Sequence, residues 1–182
     1  MADLFQTDVR CEAEISACGL YRYSLRRVWD DSLPLALWIM LNPSVADATQ
    51  DDPTIRRVVG FARAWGRGGI VVTNLFAFRA TDPEGLKLQD DPFGPANDSH
   101  VVDEAKACGL VVAAWGVGGG YRDAGRCMVE TLRAHGVQLH CLGVTKDGHP
   151  RHPLYLPRGL KPIPFGAELI ARKSLENKGD LQ

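Results

Sequence analysis

LALWIMLNPS, residues 35–44, decides how the rest of the chain is read. Its first seven residues are all apolar, too few to cross a membrane and without the polar positions of an amphipathic helix. They read as a strand buried on both faces, the habit of a parallel sheet. An Asn-Pro-Ser turn then ends the run. Three more runs share the pattern: GIVVTNLFAF (69–78), GLVVAAWG (109–116) and VQLHCLGV (137–144).

Helical patterns separate these runs. In DPTIRRVVGFARAWG (52–66) the apolar residues Ile55, Val58, Val59, Ala62 and Trp65 fall at helical spacing. Asp52 stands where a helix cap belongs, Pro53 in the first turn and Gly66 just past the end. A second helix is expected over 95–109 and a third over roughly 122–135. Strand and helix alternating in this way predict right-handed crossovers and a three-layer α/β/α sandwich with a mostly parallel central sheet. Before them, CEAEISACGLYRYSLRRVW (11–29) alternates apolar and polar residues on both sides of Ala17 to Gly19. This predicts an N-terminal antiparallel hairpin covering an edge.

The totals agree with one domain. At 182 residues, 45% hydrophobic and 24% charged, the chain can bury a full core without metals or disulfides. Residues 1–172 are expected to form that domain and residues 173–182 a frayed tail. The formal charge of −1 supplies no overall attraction to a polyanion. A local basic patch, Lys146, Arg151, Arg158 and Lys161 with His149 and His152, is opposed nearby only by Asp147. It reads either as a nucleic-acid contact or as a solvated loop. Five cysteines form no CxxC pair and no zinc spacing, so reduced thiols and no metal or other cofactor are expected. No run has the length of a membrane span and none has the form of a secretion signal, which makes the cytoplasm the expected compartment. The oligomeric state leaves no mark in the sequence.

In open α/β sheets ligands bind beyond the carboxyl ends of the strands. Asn42-Pro43-Ser44, Asn74, Trp115-Gly116 and the loop 146–154 each follow an expected strand, so all four should meet on one rim. The Asn42 amide both donates and accepts, and Pro43 stiffens the turn that aims it; a plain turn is the rival reading. Asp51, ahead of Asp47, is a candidate base or metal ligand, and either carboxylate could equally be only solvated. Asn74 interrupts an apolar run, and a buried amide needs partners, so it ties down a loop or reads a polar edge of a ligand. Arg79 lies in a following loop where an anion could be held. The glycines of WGVGGGYRDAG (115–125) fail the dinucleotide spacing because position 121 is Tyr121. In GHPRHPLYLP (148–157) two prolines fix His149 and His152, with Tyr155 nearby, in a setting suited to proton transfer or to hydrogen bonding a developing negative charge. No Gly-x-Ser-x-Gly elbow, HExxH or P-loop is present.

Two resemblances follow from these stretches. LNPSVADATQDDPTIRRVVGFARAWG, TNLFAFRATDP and GHPRHPLYL together resemble a bacterial family catalogued as a domain of unknown function, across nearly the whole chain. In their order and their place after strands, Met40-Leu41-Asn42-Pro43, Thr73-Asn74, Trp115-Gly116 and His152-Pro153-Leu154 resemble the motifs of the uracil-DNA glycosylase superfamily. His149-Pro150 is a competing match for the last. The second resemblance implies a hydrolase that cleaves an N-glycosidic bond in DNA, a nucleotide or a nucleoside. Asn42 would position the water, Asn74 would contact a base edge, His152 would steady the departing base, and Phe76 or Tyr155 would stack on it. The chain departs from that pattern in having Met40-Leu41 for a glycine and Leu154 or Arg151 for the serine of the His-Pro-Ser loop. It also lacks the cysteine set that holds an iron-sulfur cluster in some branches. A non-catalytic nucleic-acid or nucleotide-binding module, and a metal-assisted hydrolase using Asp47 and Asp51, are the alternatives.

Overall fold

Alternation along the buried runs sorts their side chains to two faces, and the computed structural model shows where each face goes. It describes residues 9–44, 51–80 and 84–166. Asp47 and the tail from 173 onward lie outside them. Strands β1 (Arg10–Ile15), β2 (Arg22–Val28), β3 (Leu35–Met40), β4 (Gly69–Asn74), β5 (Leu110–Ala113), β6 (Leu139–Cys141) and β7 (Ile163–Pro164) form one sheet in the order β1-β2-β4-β3-β5-β6-β7. The central strands β4, β3, β5 and β6 are parallel, and β1 pairs with β2, β2 with β4 and β7 with β6 in antiparallel fashion. The result is a mixed α/β fold whose sheet is mostly parallel.

Helices α1 (Pro53–Ala64), α2 (Glu84–Lys87), α3 (Asn97–Ala107) and α4 (Ala124–Ala134) lie between the strands. Leu37 and Ile39 of β3 join one buried cluster with Val101 and Val102 of α3 and Met128, Val129 and Leu132 of α4. Ala36, Trp38 and Met40, the alternate residues, join a second cluster with Ile55, Val58, Phe61 and Ala62 of α1. In that cluster the fully buried Trp38 stacks on Trp65 at 5.5 Å between ring centroids.

Local chemistry sets the ends of α1. Asp52 accepts the Ile55 N–H at 2.8 Å, and Pro53 opens the helix with a fixed φ. Gly66, at φ +68°, closes it, because only a residue at ease in the left-handed region lets the Arg67 N–H reach the Ala62 carbonyl at 2.9 Å and the Gly66 N–H reach Arg63 at 3.1 Å. A partly buried ion pair, Arg26 Nη2 to Glu104 Oε2 at 2.6 Å, ties β2 to α3.

Some expected bounds move. The apolar run 69–78 stays in the sheet only to Asn74, and Leu75, Phe76 and Ala77 turn into the core beyond it. The expected third helix starts at Ala124, after a separate 3-10 segment over Gly116–Asp123.

The path of the chain makes an opening. It passes from β3 through α1 to β4 on one side, then steps back across β3 to β5 on the other. The connections that leave the carboxyl ends of β3 and β5 therefore diverge, and a crevice opens where they part.

Candidate functional site

A cavity of about 250 Å³ lies at the carboxyl ends of β3 and β4, where the connection leaving β5 also arrives. Asn42, Ser44, Asp52, Asn74, Trp115 and His152 line it, over apolar walls from Met40, Val72 and Ile55, with the buried Arg22 at one side. Backbone bonds hold the contributing loops together. The Leu75 and Phe76 N–H groups donate to the Met40 and Leu41 carbonyls at 2.8 and 2.9 Å, and the Gly116 N–H donates to the Pro150 carbonyl at 2.9 Å. Gly116 sits at φ +67°, and a Cβ there would lie 3.9 Å from the His152 Cβ, so the third and fourth loops meet closely. At Gly118 a Cβ would fall 2.5 Å from the Leu41 side chain. Close approach accounts for part of this glycine run.

Asn42 is half buried, and its Nδ2 donates to the Pro43 and Ala80 carbonyls at 3.1 and 2.9 Å. Both donors are therefore spent on the loop, and only the acceptor Oδ1 remains for a ligand or water. Asn74 is the last residue of β4 and 1% exposed, and neither its Nδ2 nor its Oδ1 has a hydrogen-bond partner among the described residues. Of the two roles expected for it, the tie to a neighbouring loop falls to another residue: Asn97 Nδ2 donates to the Asn74 and Leu75 carbonyls at 2.9 and 3.1 Å. A buried amide with a donor and an acceptor both unmet, on the wall of a cavity, costs on the order of 1–3 kcal/mol until something pairs with it.

Asp52 has two duties. Its Oδ1 caps α1, and its Oδ2 accepts the Ser44 hydroxyl in a short hydrogen bond. His152 faces the same space. His152 remains exposed as a residue, yet crowding of its ring by the site loops pushes the imidazole below the usual histidine range, and the Asp52 carboxylate partly offsets this. Its Nδ1 accepts the Leu154 N–H at 3.4 Å, which leaves Nε2 to carry the proton of the neutral ring. A neutral imidazole N–H, a carboxylate, an amide acceptor and an unmet amide pair thus face one small apolar-walled space.

All of these cavity residues fall within 22–154, the span matched by the family model described as Protein of unknown function (DUF1643). The chain belongs to the DUF1643 family. No curated protein and no solved structure matches it. In this DUF1643 chain β1 lies before the matched span and Tyr155 just after it.

Other expected site residues stand elsewhere. Asp51 does not line the cavity; its Oδ1 accepts Arg27 Nε at 2.9 Å, and the pair anchors the start of α1 to β2. Phe76 is fully buried among Phe93 and Tyr121, at 4.9 and 5.7 Å between ring centroids. Arg79 Nη1 donates to the Gly19 carbonyl at 3.1 Å, towards the β1–β2 connection. His149 packs near Gly120, where a Cβ would lie 3.5 Å from its ring, and His152 is the histidine of the cavity. Arg151 is exposed and its N–H donates to the Gly143 carbonyl; Tyr155 is 91% exposed; Pro43 is buried under the turn. Burial pushes the Cys108 thiol up to about 12, with Glu104 adding to the rise, so it stays protonated. Among the described residues no group of three His, Cys, Asp or Glu side chains is arranged to hold a metal ion, and no helix is long and apolar enough to cross a membrane.

Arg22 and the second role of Asp52 were not anticipated. Arg22 reaches the cavity only because β2 pairs with β4, a long-range pairing that leaves no local signal. Asp52 does carry one: a helix cap that opens the first turn after a strand already stands on the ligand rim.

Proposed function

We propose that this protein is a glycosylase-like hydrolase that cleaves the bond between a sugar and a nucleobase in DNA or in a nucleotide, on a single three-layer α/β/α domain of the uracil-DNA glycosylase type. The observation that carries the reading is the Asn74 amide, buried with both polar ends unmet in the cavity that Asn42 and His152 share. A nucleobase edge that offers an acceptor beside a donor satisfies such an amide in one step. The sheet order, with its crevice between β3 and β5, and the two helical faces of the core support the fold assignment.

Each residue then has a task that its geometry suits. As the C1′–N bond lengthens, its electron pair passes to the base and the sugar acquires cationic character. The His152 Nε2–H donates a hydrogen bond to the base where negative charge grows, and as a neutral N–H it keeps its proton as the base departs. The Asp52 carboxylate, fixed by Ser44 and the helix start, supplies negative charge beside the sugar cation. Asn42 Oδ1 accepts a hydrogen bond from the incoming water and aims its oxygen at C1′. The water proton passes to solvent or to the departing base, and the products are a free base and a sugar hydroxyl. An amide cannot act as a strong base, and a cationic sugar does not require one.

Base release from a panel of nucleotides and uracil-bearing single and double strands tests this. Asn42→Ala should abolish release and lower Tm by only a few degrees, since it removes hydrogen bonds worth about 1 kcal/mol each. Undiminished release would remove Asn42 from the mechanism. No release of any base by the unaltered protein would overturn the hydrolase reading and favour a binding module on the same rim.

A further inference from the structure

Beside the base cavity, on the other side of the first turn of α1, lies a larger groove of about 450 Å³ between that helix and residues 154–159. Arg56, Arg57 and Arg158 line it together with Gly60, Phe61 and Leu154, and no acidic side chain among the described residues does. Arg57 is held in place, donating to the Leu156 carbonyl and lying 5.0 Å over the Phe61 ring. Arg56 Nη1 donates to the Asp51 carbonyl at 2.6 Å. Arg158 is exposed and has no hydrogen bond or ion pair among the described residues. Three guanidinium groups around one groove, in a chain of net charge −1, form a local field for a polyanion that the total charge does not foretell.

A second observation concerns Gly60. It sits in the interior of α1, where glycine weakens a helix, yet a Cβ there would meet nothing within 4 Å. Packing therefore does not require it, and its missing side chain deepens the groove. A third is Tyr155, 91% exposed in the loop that forms the far wall and beyond the span of the family match. An exposed ring beside a cationic groove is the arrangement that holds single strands, with phosphates on the cations and a base on the ring.

From these we infer that the groove between α1 and residues 154–159 binds the sugar-phosphate backbone of a single-stranded nucleic acid, with Tyr155 stacking on a base. The substrate is then a strand and not a free nucleoside. The α1 wall from Pro53 to Ala64 is about 16 Å long at about 1.5 Å per residue. That length exceeds what one phosphate needs, since a strand of duplex carries one per about 3.4 Å of axis. This assignment rests on the reading of the neighbouring cavity as a base site.

The test uses fluorescence anisotropy with the full chain and two labelled probes of equal length, an oligothymidylate and its base-free abasic counterpart. The double variant Arg56→Gln/Arg158→Gln should weaken both probes and reduce the slope of log K against log salt by about 0.7 for each phosphate no longer neutralised. Gly60→Glu should raise Tm and yet weaken both probes, an outcome that misfolding cannot produce. Tyr155→Ala should weaken only the base-bearing probe, by about tenfold. Inorganic phosphate and thymidine monophosphate at concentrations comparable to the strand should not displace it. Unchanged affinity and slope in the double variant, no binding by the unaltered protein, or displacement by inorganic phosphate would each overturn the inference. The abasic probe carries no base, so its result does not depend on the cavity, whereas loss of base release in Asn42→Ala with strand binding retained would place that failure in the cavity and not in the groove.

Discussion

Asn74 is the residue where stability and binding oppose each other. Its amide is buried, unmet and beside a cavity, so an apolar side chain of similar size should suit the folded chain better than the native one. Asn74→Leu should raise Tm by a few degrees, the return of an uncompensated burial on the order of 1–3 kcal/mol, while removing base binding. A fall in Tm by a similar amount would assign the amide a structural partner instead. His152 offers a second readout. Burial lowers its pKa in the folded state and Asp52 raises it, so its NMR titration should lie below the ordinary histidine value of about 6.5 and move lower still in Asp52→Asn. The sign for stability follows: a depressed folded pKa favours the folded chain above the unfolded value, and that contribution is lost as pH falls through the folded pKa. Base release should fall over the same acid range. A titration at or above the ordinary value, or one indifferent to Asp52→Asn, would contradict this. Asn42, Asn74, Trp115 and His152 were legible in the sequence because each ends or follows an apolar run, which places it on the rim by topology alone. The sequence assigns Asp52 the helix cap and Asp51 a candidate chemical role; the cap is where expected, but adjacent residues at a helix start point to different sides, so it is Asp52 that also lines the cavity. One faces Arg27 and the other the cavity.

At the scale of elements, α1 matters most because its start carries Asp52 and its flank carries the arginine groove. Its bounds were plain in the sequence: Asp52, Pro53 and Gly66 are local signals, each acting on backbone within one turn. The end of β4 was not plain, because the apolar run 69–78 continues past Asn74 into the core and hydropathy cannot tell sheet burial from loop burial. The pairing of β2 with β4 was equally hidden, although it brings Arg22 to the site. That pairing is braced by Arg26 and the nearly buried Glu104. Arg26→Ala should leave the Glu104 charge without its cation and cost stability towards the lower end of about 3–5 kcal/mol, since Arg26 is itself part exposed. A urea denaturation midpoint that implies less than about 1 kcal/mol would class the pair with ordinary surface ion pairs.

For the whole molecule, function follows from where the chain reverses. Laying β4 on one side of β3 and β5 on the other separates two connections, and the cavity lies at the carboxyl ends of β3 and β4 with its polar groups supplied by segments distant in sequence. No single segment contains the site, which explains why its motifs are each short. The DUF1643 span of 22–154 encloses the cavity completely, whereas Arg158 of the groove and the neighbouring Tyr155 lie outside it. The most direct measurement is a crystal structure of the protein soaked with free nucleobases. The expected result is one ring between Asn42, Asn74 and His152, with its polar edge paired to the Asn74 amide. A base bound elsewhere, or a cavity that takes up no base at saturating concentration, would contradict the assignment of this cavity.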